Sequence, residues 1–374
     1  MGHLLHNEQP ADQTASEVAA LLLETLRLSH VDSSGLAERW IHADTRGLIS
    51  LLRREGGELW LHRRLCQLDL ADTALGKTSF WFQLERLARR TVAQNLLVQS
   101  HADVVIQLLE REGVSVIPIK GIARIDLARQ FPFADCRATN DVDLLVPMLQ
   151  RDDAWSILSR HGYRQASDRT PPGHYHLPPL ADAAQIPVEV HTSTSTQVTP
   201  NEAWRRAQSA GNTTELLWQG WMHGMDQGLE AFFLRYFLDA AVALGNSHSV
   251  DWTTITHRLR SKETDDRKLA VTWLRAASYF GDESLPAHVS ELSAPFALHR
   301  MYTWRIRIFR SRVRNRAWTR KLLAEALRSE FRMKTERPVP ATPVSHKTRR
   351  WISAAAARLM YRTWKRLHPS NETV

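Results

Sequence analysis

Asp141 and Asp143 stand one residue apart in TNDVDLLV (139–146), inside an otherwise apolar run. Alternate side chains of a strand share a face, so the two carboxylates are expected side by side where a buried strand begins. Like charges that close repel, and unpaired charges are costly to bury. A divalent cation relieves both problems, and Mg²⁺ is typically held by one or two carboxylates together with substrate phosphates. The plainer explanation is a strand entrance whose acids face water, and short motif matches are often fortuitous. The neighbouring residues therefore have to decide.

Upstream, VIPIKGIAR (116–124) reads as a strand, then Lys120 and Gly121, then a helix. A glycine there lets backbone approach a ligand closely, helix-terminal amides favour phosphate, and the lysine adds a compact positive charge. Downstream, PVEVH (187–191) presents Glu189 and His191 on one face of a further strand. A third carboxylate on an adjacent strand is what a two-metal phosphoryl-transfer site requires, because the metals clamp the attacking and leaving oxygens. The metal ligands expected on this basis are Asp141, Asp143 and Glu189, and the same three are the expected catalytic residues. Arg137, four residues before Asp141, has the planar fork that suits bidentate phosphate contact; a surface salt bridge is the alternative. His191 is placed either to accept a proton from an attacking hydroxyl or to tune Glu189. His174 and His176 share a strand face that can converge on it in a hairpin. Cys136 reads as a small buried side chain, and His223 and Asp239 as interhelical polar contacts. Lys77 in LGKTS lacks the preceding strand and glycine spacing of a phosphate loop.

The elements that must position these residues fall into four stretches. Residues 1–112 read as helical, with apolar positions recurring at three and four. Residues 113–195 form a small mixed α/β unit: VSVIPIK and DVDLLV as strands, RDDAWSILSRHGY as a helix ending at Gly162, and HYHLPPL and IPVEVHT as strands joined by ADAAQ. Residues 196–299 return to helix. Residues 300–374 form a basic tail with a Pro/Thr-rich linker near 336–348 and a last amphipathic helix.

These segments, VIPIKGIA, CRATNDVDLLV, LSRHGY, HYH and VEVH in that order, resemble the uncharacterised nucleotidyltransferase family of the DNA polymerase β-like superfamily, bacterial proteins often met in polysaccharide and natural-product biosynthesis loci. The resemblance extends to FFLRYFLDAAVAL and the following DW, and covers roughly residues 40 to 290. It implies an α+β fold, a small mixed-sheet nucleotidyltransferase core flanked by N-terminal and C-terminal helical regions. It also implies an enzyme that takes an NTP as substrate and uses Mg²⁺ or Mn²⁺ held by Asp141, Asp143 and Glu189, with Lys120 and Gly121 as the phosphate turn. The superfamily turn is usually glycine-serine; here it is lysine-glycine-isoleucine.

Composition sets the remaining bounds. Two cysteines without ligand spacing give neither a disulfide framework nor a structural zinc, and point to a reducing cytoplasm. No export signal or membrane-spanning run is expected. The net charge of +9 is a C-terminal property: from Arg300 onward there are 20 Lys/Arg against 4 Glu, and before it 29 basic residues against 36 acidic. Such a tail, interleaved with tryptophans, suits an anionic membrane surface, while docking on the core or gripping nucleic acid are the alternatives. The expected function is transfer of a nucleotidyl group from an NTP to a hydroxyl-bearing small molecule, glycan precursor or peptide. The alternatives are a non-catalytic nucleotide-binding module and an adaptor acting through the tail.

Overall fold

The computed structural model describes residues 9–306, apart from 29–30, 128–132, 167–174, 196–197, 209–212, 227–233, 245–249, 263, 282–284, 291–300 and 304. His174, the His223 side chain and almost all of the basic tail lie outside the described residues. The chain runs through α1 (Gln9–Leu26), α2 (Leu36–His42), α3 (Leu48–Glu55), α4 (Glu58–Gln67) and the long α5 (Ser79–Arg111) before the first strand. Then follow β1 (Ile117–Pro118), α6 (Lys120–Leu127), β2 (Val142–Leu145), α7 (Arg151–Arg160), β3 (Arg164–Gln165), β4 (Leu180–Ala181) and β5 (Val188–His191). The chain continues with α8 (Pro200–Gln208), α9 (Thr213–Asp226), α10 (Leu234–Leu244), α11 (Trp252–Arg260), α12 (Thr264–Gly281) and α13 (Ala287–Ser290). The fold is α+β.

The sheet has the order β1-β2-β5-β4-β3. Its centre is the parallel pair β2 and β5, which sets Asp143 opposite Glu189 and Leu145 opposite His191; the outer pairings are antiparallel. Both central strands are buried at every position but Glu189, with Val or Leu at five of their eight positions, as expected where a strand is covered on both faces. The strands are shorter than the sequence predicts. VSVIPIK yields only the two residues of β1, because Lys120 turns the chain with a φ of 53° and opens α6. HYHLPPL contributes β4 and an isolated bridge between His176 and His191, its two prolines lacking the N–H that a ladder needs. The short β3, Arg164–Gln165, is not anticipated; both its residues are exposed, so no apolar pattern marks it.

Helix α5 joins two cores. Its first half places Phe80, Trp81, Leu84 and Ala88 in the large helical core with α1, α4, α10 and α12; its second half places Val98, Ala102, Val105 and Leu109 against β2, β5 and α7. The helix is N-capped by Thr78, whose hydroxyl accepts from the Trp81 N–H at 3.2 Å. Between the two apolar stretches its buried face carries Thr91 and Asn95. Thr91 donates to Glu58 at 2.8 Å. Asn95 donates to the carbonyls of Asp135 and Arg137 at 3.0 and 2.9 Å and accepts from the Thr139 N–H at 3.0 Å. It thereby fixes the approach to β2.

Candidate functional site

The site is built where β1, β2 and β5 run side by side. The Ile119 N–H donates to the Asp143 carbonyl at 3.0 Å, so Lys120, the next residue, is held beside the Asp143 side chain. Its ammonium donates to Asp143 Oδ1 at 2.6 Å and stands 3.8 Å from Glu189 Oε2. From the far side His191 Nε2 donates to Asp143 Oδ1 at 2.7 Å and lies 3.2 Å from Glu189 Oε2. The segment 175–177 is laced to β5 by Leu177 N–H to Val190 O and Thr192 N–H to Tyr175 O. This sets the Tyr175 ring against the His191 ring at 5.6 Å and brings His176 Nε2 to 3.8 Å from Glu189 Oε2. Because His176 Nδ1 donates to the Leu177 carbonyl at 2.8 Å, Nε2 is the nitrogen that faces the acid.

The two aspartates differ in kind. Asp143 lies on β2 and is 2% exposed. Burial alone would raise its pKa, but Lys120 and the His191 hydrogen bond outweigh that and hold the carboxylate far below its usual range. Glu189 is likewise held low, its burial outweighed by His191 and Lys120. Asp141 sits in a bend before β2 rather than on the strand. Burial and the repulsion of Asp143 push it up to about 6. Among the described residues, the ligand atoms that all lie within 4.8 Å of one another belong to Asp143, Glu189 and His191, and Asp141 is not one of them. The predicted Asp143 and Glu189 are thus brought together, with His191 joining them, while Asp141 adjoins.

The residues present fit a divalent cation. Ligand atoms of Asp143 and Glu189 converge within 4.8 Å, a carboxylate pair of the kind that holds a divalent ion together with substrate phosphates, and His191 Nε2, which donates to Asp143 at 2.7 Å and lies 3.2 Å from Glu189, would orient them.

Behind this cluster, Gly121 and Arg137 make a different contact from the one expected. A Cβ at Gly121 would lie 2.5 and 2.6 Å from the Thr139 side chain and 2.9 Å from Arg137 Nη1. The close approach that this glycine permits is therefore made by Thr139 and Arg137. The Arg137 Nε donates to Asp239 Oδ2 of α10 at 2.9 Å, both side chains being well buried. Asp239, read from sequence as an interhelical contact, instead ties the helical region to the site loop. Cys136 is 1% exposed, and burial pushes its thiol up to about 12. Lys77 ends a 3₁₀ turn, away from any strand.

Sequence reasoning passed over Asn95, Thr139 and Tyr175. Asn95 had a visible signal, since it falls on the apolar stripe Ala88, Thr91, Asn95, Val98, Ala102 at helical spacing. Thr139 and Tyr175 had none, because each acts through a neighbour distant in sequence.

No curated protein and no solved structure matches this chain. A family model described as an uncharacterised nucleotidyltransferase matches residues 42–281, a span that holds every residue of the cluster together with α10 and its Asp239. The chain belongs to that uncharacterised nucleotidyltransferase family.

Proposed function

We infer that the protein transfers a nucleotidyl group from an NTP to a hydroxyl-bearing acceptor, using a divalent cation held by Asp143 and Glu189. The observation that carries this reading is the convergence of Asp143, Glu189 and His191 on the parallel β2–β5 pair, in a chain of this family. Bound there, Mg²⁺ or Mn²⁺ would neutralise charge on the transferred phosphoryl oxygens. Asp141, at the entrance to β2, adds a third carboxylate to the same end of the sheet. His191 orients both ligand acids through one nitrogen and is itself braced by Tyr175. His176 Nε2, facing Glu189 at the rim, is the nitrogen placed to receive a proton from an acceptor hydroxyl. Lys120 supplies a positive charge for triphosphate oxygens, and Arg137, aligned by Asp239, a second one behind Gly121.

The test is incubation of the protein with each α-labelled NTP, Mg²⁺ or Mn²⁺ and a panel of acceptors, in parallel with Asp143→Asn. Label transferred by the wild type and lost in a folded variant is the expected result; equal transfer by both would overturn the reading. A second reading, a nucleotide-binding module without turnover, is favoured by Lys120, which already compensates Asp143 at 2.6 Å. Calorimetric nucleotide binding with no pyrophosphate release across the same panel would support it. No described helix is long and apolar enough to cross a membrane. The proposed membrane role of the tail falls on residues outside the described ones.

A further inference from the structure

The site holds its own cation. The Lys120 ammonium lies 2.6 Å from Asp143 Oδ1 and 3.8 Å from Glu189 Oε2, so it stands between the two acids expected to bind an ion. The Lys120 side chain is only 16% exposed, and those of Asp143 and Glu189 are 3% and 17% exposed. At these separations a lysine and a divalent ion repel each other too strongly to share the same two carboxylates without a further anion. His191 adds to the competition by occupying the same Asp143 Oδ1. An ion that enters must turn Lys120 away from Asp143, and a buried ammonium left without a partner is costly. A triphosphate supplies the missing partner, because its oxygens can accept the displaced ammonium while the ion takes the acids.

We propose that Lys120 couples the two ligands of this site, excluding the divalent ion when no nucleotide is bound and moving from Asp143 to the triphosphate when ion and nucleotide bind together. The inference rests on the proposed metal-dependent reading of the same residues and adds an order to it. The ion alone binds weakly and the nucleotide alone binds weakly. Each strengthens the other by the same factor, as reciprocal coupling requires.

The coupling is measured by titrating Mn²⁺ calorimetrically into the full chain with and without a triphosphate whose α–β bridge cannot be cleaved. In Lys120→Met, Mn²⁺ alone is expected to bind about tenfold more tightly than in the wild type, and the factor by which the triphosphate tightens Mn²⁺ binding is expected to fall by about tenfold. Equal Mn²⁺ affinity in variant and wild type, or an undiminished factor, would overturn the coupling and leave the metal-dependent reading in place. Absence of Mn²⁺ binding by either protein at millimolar ion, with or without triphosphate, would instead remove that reading and this inference with it. Should Lys120→Met fail to fold because its acids repel, the wild type decides alone through the ¹⁵Nζ resonance of Lys120, assigned by its loss in Lys120→Arg. That resonance is expected to shift when Mg²⁺ and triphosphate are added together. A resonance unmoved by an ion shown to bind would overturn the proposal.

Discussion

Two buried clusters in this molecule place carboxylates beside a cation, and they are organised in opposite ways. In the helical region Glu55 of α3 is 2% exposed and fully engaged. Its Oε1 accepts from Arg305 at 2.7 Å, and its Oε2 accepts from the Leu234 N–H at 3.2 Å and the Tyr302 hydroxyl at 3.3 Å. One acid meets one guanidinium, and each oxygen has a donor. At the sheet, Asp143, Glu189 and the adjoining Asp141 gather around a single ammonium, with two imidazoles on the far side. The first cluster closes a joint between α3, α10 and the residues Tyr302 and Arg305. The second concentrates negative charge around its lysine, whose side chain is about as buried as that of Arg305, and leaves its rim acid Glu189 less buried than Glu55. Three carboxylates around one ammonium leave negative charge for a bound cation to balance, and this separates a site from a strut.

The comparison breaks most visibly if the roles are exchanged by mutation. Glu55→Ala removes the acceptor shared by Arg305, Tyr302 and the Leu234 N–H, and is expected to cost about 3–5 kcal/mol of stability in a denaturant titration. Mn²⁺ affinity of the protein that remains folded should not change. Glu189→Gln should do the reverse, lowering turnover about a thousandfold, equivalent to ~4 kcal/mol of barrier, at little cost in stability. If Glu55→Ala abolished ion binding while Glu189→Gln unfolded the chain, the distinction drawn between the clusters would be wrong.

The same contrast explains what could be seen beforehand. Asp143, Glu189 and His191 were legible because alternation along a strand is strict, and a carboxylate inside an apolar run has few reasons to be there. The helices before and after the sheet were legible from periodicity and from the glycines that end them, and the fold class from the family resemblance. Strand lengths were not, since β1 stops where Lys120 takes a left-handed φ that a residue with a Cβ adopts at a cost of about 1–2 kcal/mol. Nothing local to IPIKG encodes that turn; the pairing with β2 imposes it. Asp141 was read as the equal of Asp143 because spacing places both on one face, but the strand begins one residue too late to include it. The Arg137–Asp239 pair joins residues 102 apart in sequence, and neither segment alone predicts it.

Gly121 offers a finer way to sharpen the comparison, because it separates packing from ligand approach. Gly121→Ala drives a methyl to within 2.6 Å of both branch atoms of Thr139, an overpacking expected to cost about 1–3 kcal/mol. If the clash with Thr139 is the cause, Thr139→Ala in the same chain should restore part of that stability, while Thr139→Ala alone should not stabilise. The interaction energy from the four proteins measures the contact directly. Additive losses would mean that the glycine serves the backbone's approach to a phosphate instead, and nucleotide affinity would then fall in the double variant as far as in Gly121→Ala.

The smallest effect concerns the joint between the two regions. Cys136 lies between Asp135, whose carboxylate pairs with Arg63 of α4, and Arg137; the carbonyls of both neighbours accept from Asn95. Its thiol is buried and raised to about 12, so at pH 8 the ionised fraction is only about 10⁻⁴, and a disulfide reagent reaches it only when the loop opens. Cys66, partly exposed and also raised by burial, reacts without such an opening. The ratio of the two modification rates therefore reports the local opening of the 133–139 segment apart from global unfolding. Asn95→Ala deletes three hydrogen bonds to that segment. It is expected to speed Cys136 modification by about tenfold, near 1.4 kcal/mol of opening free energy, with Cys66 unchanged. If both cysteines accelerated together, the loop would share the stability of the whole helical core, and the site would be no more separable from its frame than Glu55 is.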